Sequence, residues 1–146
     1  MRNNNLPLIV SCSGCCQGGE LAEDIATLYR QQGKAERIAI AAIAARSPLH
    51  LQRIALSKQL IVFDGCSLCC IKHCLTRSGI NKFIHFDITK LLNELPKQSK
   101  QSVLQAGLQV TTRISKTLAT SLSSNHEVDE SDRDANIIAL FPCADG

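Results

Sequence analysis

Residues 60–75 read LIVFDGCSLCCIKHCL, and the arrangement of the whole chain follows from how this stretch folds. Leu60, Ile61, Val62 and Phe63 form an apolar run that stops at Asp64-Gly65, after which apolar residues return at helical spacing. That order predicts a buried strand, a tight turn and a helix start. Four of the eight cysteines, Cys66, Cys69, Cys70 and Cys74, lie on the turn and the beginning of the helix. A shorter version stands near the N-terminus: residues 6–11, then Cys12, Cys15 and Cys16, then Gly18-Gly19 and a helical pattern. Two predicted strand ends therefore carry sulfur.

A chain of 146 residues suits one domain with a real core. Hydrophobic residues make up 45% of it but aromatic ones only 3%, so the core is aliphatic and few rings are available to stack on bases. Net charge is +3 and uneven: residues 1–126 hold fifteen Lys/Arg against seven Asp/Glu, whereas residues 127–146 hold one against six. The basic residues are scattered rather than clustered, which argues against a nucleic-acid partner. No stretch has the roughly eighteen apolar residues of a membrane span. The opening MRNNNLPLIVSCSG is too short in apolar residues for a signal-peptide core, so a cytoplasmic location is expected. In a reducing compartment, clustered cysteines point to metal or redox chemistry rather than to a disulfide scaffold.

Taken in order, residues 6–11 are the first strand and 19–32 the first helix, stopped by Gly33. Residues 37–45, RIAIAAIAA, read as a second strand, because Ser47-Pro48 then supplies a cap and a first-turn proline for a helix over 49–57. Residues 59–63 are the third strand. Residues 67–78 are the third helix, with Leu68, Ile71 and Leu75 toward the core and Gly79 at its end. Residues 83–88 are a fourth strand. The alternation implies an α/β fold, a mainly parallel sheet of four to five strands with helices on both faces, layered as in Rossmann-like or flavodoxin-like sheets. If the first and third strands are neighbours and their helices go to opposite faces, both cysteine loops line one crevice at the carboxyl edge. The expected organisation is a cysteine-rich domain over 1–95, a helical extension over 96–122, and an acidic linker with an apolar end over 123–146, where 136–141 could add an edge strand.

Zinc takes four thiolate or imidazole ligands in a tetrahedron, and cysteines on two strand-to-helix loops can converge on one ion. Cys12 and Cys15 are spaced Cys-x-x-Cys; Cys66 and Cys70 are spaced Cys-x-x-x-Cys, with Cys74 one helical turn further on. Helix N-termini at the same edge favour the thiolate. The same residues would also serve a thiol redox enzyme, since Cys66-Ser67-Leu68-Cys69 is a Cys-x-x-Cys at a strand-to-helix turn, or an iron-sulfur electron carrier. An oxyanion-attacking cysteine is disfavoured, because no Arg lies between Cys12 and Arg30. Among the remaining candidates, Cys143 reads as a core residue, His85 as a strand residue, His73 as solvent-facing, and Asp64 as a cap for the turn or third helix.

DGCSLCCIKHCL resembles the motif of the DGC-domain family, and SCSGCCQGGELA resembles that family's N-terminal segment; together the resemblance covers residues 6–88. It implies a small prokaryotic α/β protein with zinc held by cysteines, and it implies no particular reaction. By position it assigns Cys12 and Cys15 to the first motif and Cys66, Cys70 and Cys74 to the second, leaving Cys16 and Cys69 as extras. Where many relatives carry a further cysteine and glycines after the second strand, this chain has Ala39 and the run 41–45, so that ligand is missing. The expected partner is a metal ion, Zn2+ or alternatively an iron-sulfur cluster; any protein partner, and whether the chain is an enzyme, stay open.

Overall fold

Four strands, Leu8–Ser11 (β1), Glu36–Arg37 (β2), Leu60–Asp64 (β3) and Ile84–Asp87 (β4), pair only in parallel, in the order β2-β1-β3-β4. This is a computed structural model, and it describes residues 6–12, 16–95 and 103–124. Helices Gln17–Gln31 (α1), Ile40–Ala44 (α2), Pro48–Leu56 (α3), Cys70–Arg77 (α4), Ile88–Asn93 (α5) and Val103–Ser124 (α6) cover the sheet. The expected adjacency of first and third strands is present: Leu8 pairs with Leu60, and Ser11 with Phe63.

Side-chain alternation along the two central strands divides the core into two layers. Leu8, Val10 and Cys12 of the β1 segment, with Leu60 and Val62 of β3, face a layer closed by Ile43 of α2, Leu51 and Ile54 of α3, and Ile71 and Leu75 of α4. Ile9, Ile61 and Phe63 face the opposite layer, built from Ile25 and Tyr29 of α1, Ile88 of α5, and Val110, Ile114 and Leu118 of α6. Both faces of β1 and β3 are thus buried, which is why their sequences are continuous apolar runs rather than alternating ones. Each such Ile, Val or Phe contributes about 1.5–3 kcal/mol by leaving water.

The second strand is much shorter than residues 37–45. Only Glu36 and Arg37 pair with β1, the last ladder bond runs from Ile38 N to Ile9 O at 2.9 Å, and the alanine-rich remainder coils into α2. Alanine has the highest helix propensity, and its methyl group offers a sheet little cross-strand packing. The third helix starts at Cys70 rather than at residue 67, so Leu68 precedes it and is 69% exposed instead of facing the core, while Ile71 and Leu75 are fully buried as expected. Gly33 and Gly79 both stop helices in the left-handed region, with φ of 66° and 78°. Residues 123–124 close α6; the acidic stretch and residues 136–141 lie outside the described residues.

Candidate metal centre

The two sulfur-bearing loops meet because β1 and β3 are neighbours running the same way. Beyond the last ladder pair, Cys12 N donates to Phe63 O at 3.0 Å, so the chain leaves both strands at the same height. Helices α1 and α4 then depart to opposite faces, opening the crevice that such a strand reversal produces. The loops touch through glycine. A side chain at Gly18 would run into the carbonyl oxygen of Gly65, and one at Gly65 into the backbone of Gly19. Gly65 O is held further by the Thr89 hydroxyl at 2.5 Å and the Cys16 thiol at 3.7 Å.

Asp64 ends β3, 1% exposed, and its carboxylate ties α4 to the sheet. Oδ1 accepts from Ile71 N at 2.9 Å and Oδ2 from Lys72 N at 3.2 Å, satisfying two of the four amides that open a helix. A negative group at this end is also favoured by the helix dipole. Its role as a cap is therefore as expected from the sequence. Oδ2 additionally pairs with His85 Nε2 at 2.9 Å, across the β3–β4 ladder.

Cys66 and Cys69 close a turn, Cys69 N donating to Cys66 O at 3.1 Å, and Cys69 takes the left-handed conformation with φ 47° and ψ 46°. Cys70 is exposed and answers electrostatically to Cys12, Cys66, Asp64 and Cys74; Cys69 answers to Asp64, Asp87, Lys72 and Cys66. Both thiols are pushed up from their ordinary range, first by loss of solvent and then by nearby groups that are negative when ionised. Lys72 alone pulls the Cys69 thiol the other way. An activated cysteine nucleophile needs the opposite shift. A cation reverses it, because coordination deprotonates a thiol outright.

Of the residues expected to bind metal, Cys12 is buried, Cys66 and Cys74 are half-buried, and Cys70 is exposed. Cys74 also packs against the aliphatic layer of α2, α3 and α4. Cys15 lies outside the described residues. Among the described residues, the group whose ligand atoms come within 4.8 Å of one another is Asp64, Cys69 and His85, a set able to hold a metal ion. None of these three is singled out as a metal ligand by spacing, Asp64 reading as a cap. Cys69 was set aside as an extra and His85 as a plain strand residue; the Asp64–His85 proximity comes from parallel pairing of β3 with β4, 21 positions apart. Cys16 serves as the residue before α1, its thiol on Gly65 O.

A parallel α/β sheet whose carboxyl edge gathers cysteines, an aspartate and a histidine defines a cysteine-rich α/β domain. A family model described as the DGC domain matches residues 8–113, and the chain belongs to that family. It is also similar to the anaerobic and virulence modulator AnvM of Pseudomonas aeruginosa, 33% identical over 85 residues, which are 58% of this chain and 65% of that protein. The chain thus spans a little under two thirds of that relative's length. No solved structure matches.

Proposed function

We propose that this protein binds zinc through the cysteines of the two strand-end loops, Cys12, Cys15, Cys66, Cys70 and Cys74 supplying the ligands, in a structural, sensing or delivery role. The observation that carries the reading is the mutual placement of β1 and β3. Their parallel register brings Cys12 and the 66–74 loop to one edge, and Cys70 lies within electrostatic reach of Cys12, Cys66 and Cys74. Thiols whose protonated form is favoured by their crowding are the donors a soft, doubly charged ion stabilises best. A regulatory role, rather than turnover of a substrate, is in keeping with the name of AnvM, a modulator. No described helix is long and apolar enough to cross a membrane.

The turn joining Cys66 to Cys69 supports one competing reading, a dithiol redox pair. The deciding experiment is elemental analysis and a visible spectrum of protein purified without oxygen. Bound zinc in a colourless solution is expected, its amount lowered on substituting Cys12 and Cys70 together by Ser. A brown chromophore with iron and sulfide would replace zinc by a cluster. Absence of both metals, with ready formation of a Cys66–Cys69 disulfide, would overturn the proposal in favour of redox chemistry.

A further inference from the structure

We propose that Asp64, Cys69 and His85 form a second divalent-metal site, separate from the thiolate cluster, with three protein donors of mixed type and an open fourth position. The proposal stands apart from the thiolate reading, since it uses none of Cys12, Cys15, Cys66, Cys70 or Cys74.

Three observations carry it. The first is proximity: the three ligand atoms lie within 4.8 Å of one another. Bonds of about 2.0–2.3 Å in a tetrahedron place donors about 3.5 Å apart, so closure on an ion needs a movement of about an ångström. Asp64 and His85 are already held, one by the amides of α4 and the other by the β4 backbone, leaving the half-buried Cys69 thiol as the donor to swing in. The second is backbone cost. Cys69 is one of two non-glycine residues with positive φ among the described residues, the other being Arg46. A left-handed residue with a Cβ costs roughly 1–2 kcal/mol, and glycine would occupy the position without it. Cys69 makes no side-chain cap to α4, so helix capping does not explain its side chain. With this conformation the Cys69 thiol stands near Asp64 and His85, while Cys70 answers first to Cys12 and Cys66 and then to Asp64 and Cys74.

The third is charge. A thiolate and a carboxylate with a neutral imidazole balance the two charges of one divalent ion, which suits a site where Asp64 is 1% exposed. Sulfur, nitrogen and oxygen donors together select a borderline ion such as zinc rather than calcium or magnesium, which take oxygen. Three protein ligands and a water are what catalytic zinc sites keep, whereas a closed four-thiolate site has no such opening. His85 Nε2 and Asp64 Oδ2 lie 2.9 Å apart, and holding the ion requires the His85 tautomer that carries its proton on Nδ1 and leaves the Nε2 lone pair free.

The test is a count of tightly held zinc after chelator treatment, anaerobic reloading with zinc alone and removal of excess, on the full chain. Wild type is expected to hold two equivalents. Cys69→Gly removes the thiol while relaxing the left-handed backbone, and His85→Gln keeps a donor for Asp64 while removing the imidazole; each is expected to lose one equivalent with an unchanged circular dichroism spectrum. Cys12→Ser combined with Cys70→Ser is expected to lose the other. If Cys69→Gly and His85→Gln keep the wild-type count, or if either takes a folded chain that holds two equivalents in the wild type down to none, the second site is refuted. A wild type with one equivalent, removed by Cys69→Gly and His85→Gln but kept by the Cys12/Cys70 double variant, would uphold this site and refute the thiolate one.

Discussion

Gly18 and Gly65 are where the two cysteine loops touch, and the contact is backbone on backbone. Neither can carry a Cβ: at Gly18 it would collide with the Gly65 carbonyl and come to 2.7 Å from the Thr89 hydroxyl oxygen, and at Gly65 it would collide with the Gly19 backbone. Because the obstacles are main-chain atoms, no rotamer change relieves them. Gly65→Ala and Gly18→Ala are each expected to destabilise by roughly 1–3 kcal/mol, the cost of overpacking, and to lower zinc occupancy by parting the loops. Gly33→Ala is the contrast. It has φ 66° and nothing within 4 Å, so it should cost about 1 kcal/mol through backbone conformation and leave zinc binding unchanged. Urea midpoints and zinc content of the three variants check this; equal zinc content in all three would mean that loop contact is irrelevant to the site.

Between elements, α1 is locked to the edge of the sheet by a polar group on the face opposite α4. Ser11 donates to Glu23 Oε2 at 2.6 Å, Arg37 reaches the same oxygen at 2.6 Å and Ser11 Oγ at 2.9 Å, and its other nitrogen donates to Thr27 at 3.0 Å. Burial pushes the Glu23 carboxyl up, but the hydrogen bonds from Ser11 and Arg37 and the charge of Arg37 outweigh it, leaving it below 4.5. A carboxyl depressed by folding contributes stability that is complete above its unfolded value and lost as pH falls through the folded one. Stability should therefore drop below about pH 4.5 in wild type, and Glu23→Gln should remove that part of the fall. Glu23 is 41% exposed, so the contribution is under about 1 kcal/mol after screening. Urea midpoints at neutral and acidic pH measure it; parallel curves for the two proteins would show that the network does not favour the ionised form. On the same face α6 closes the layer with Val110, Ile114 and Leu118, and Tyr29 Oη meets Ser115 Oγ at 2.7 Å.

For the whole molecule, a metal held between loops of different strands binds the folded state and not the open chain. Free zinc at a hundred times its dissociation constant would then stabilise by about 2.7 kcal/mol, raising Tm by about 10 °C for a domain of this size. Thermal unfolding of chelator-treated protein with and without added zinc is the measurement, and an unmoved Tm would count against ligation by either donor set. Strand order also explains why so many of the candidate ligands sit at one end. Four parallel strands direct every strand-to-helix loop to the carboxyl edge, and the sulfur follows the loops.

Legible in the residues alone were the strand-helix alternation, the parallel α/β class, the adjacency of the first and third strands, and Asp64 as a cap, because periodicity and turn residues act over short distances along the chain. They misplaced what depends on competition between neighbours: the alanine-rich residues 40–44 chose a helix over a strand, and Leu68 fell before α4 instead of inside it. The placing of His85 against Asp64, and of the Cys69 sulfur near both, belongs instead to the packed molecule. The first follows from a register between β3 and β4, the second from one left-handed residue, and neither quantity is written in the spacing of cysteines.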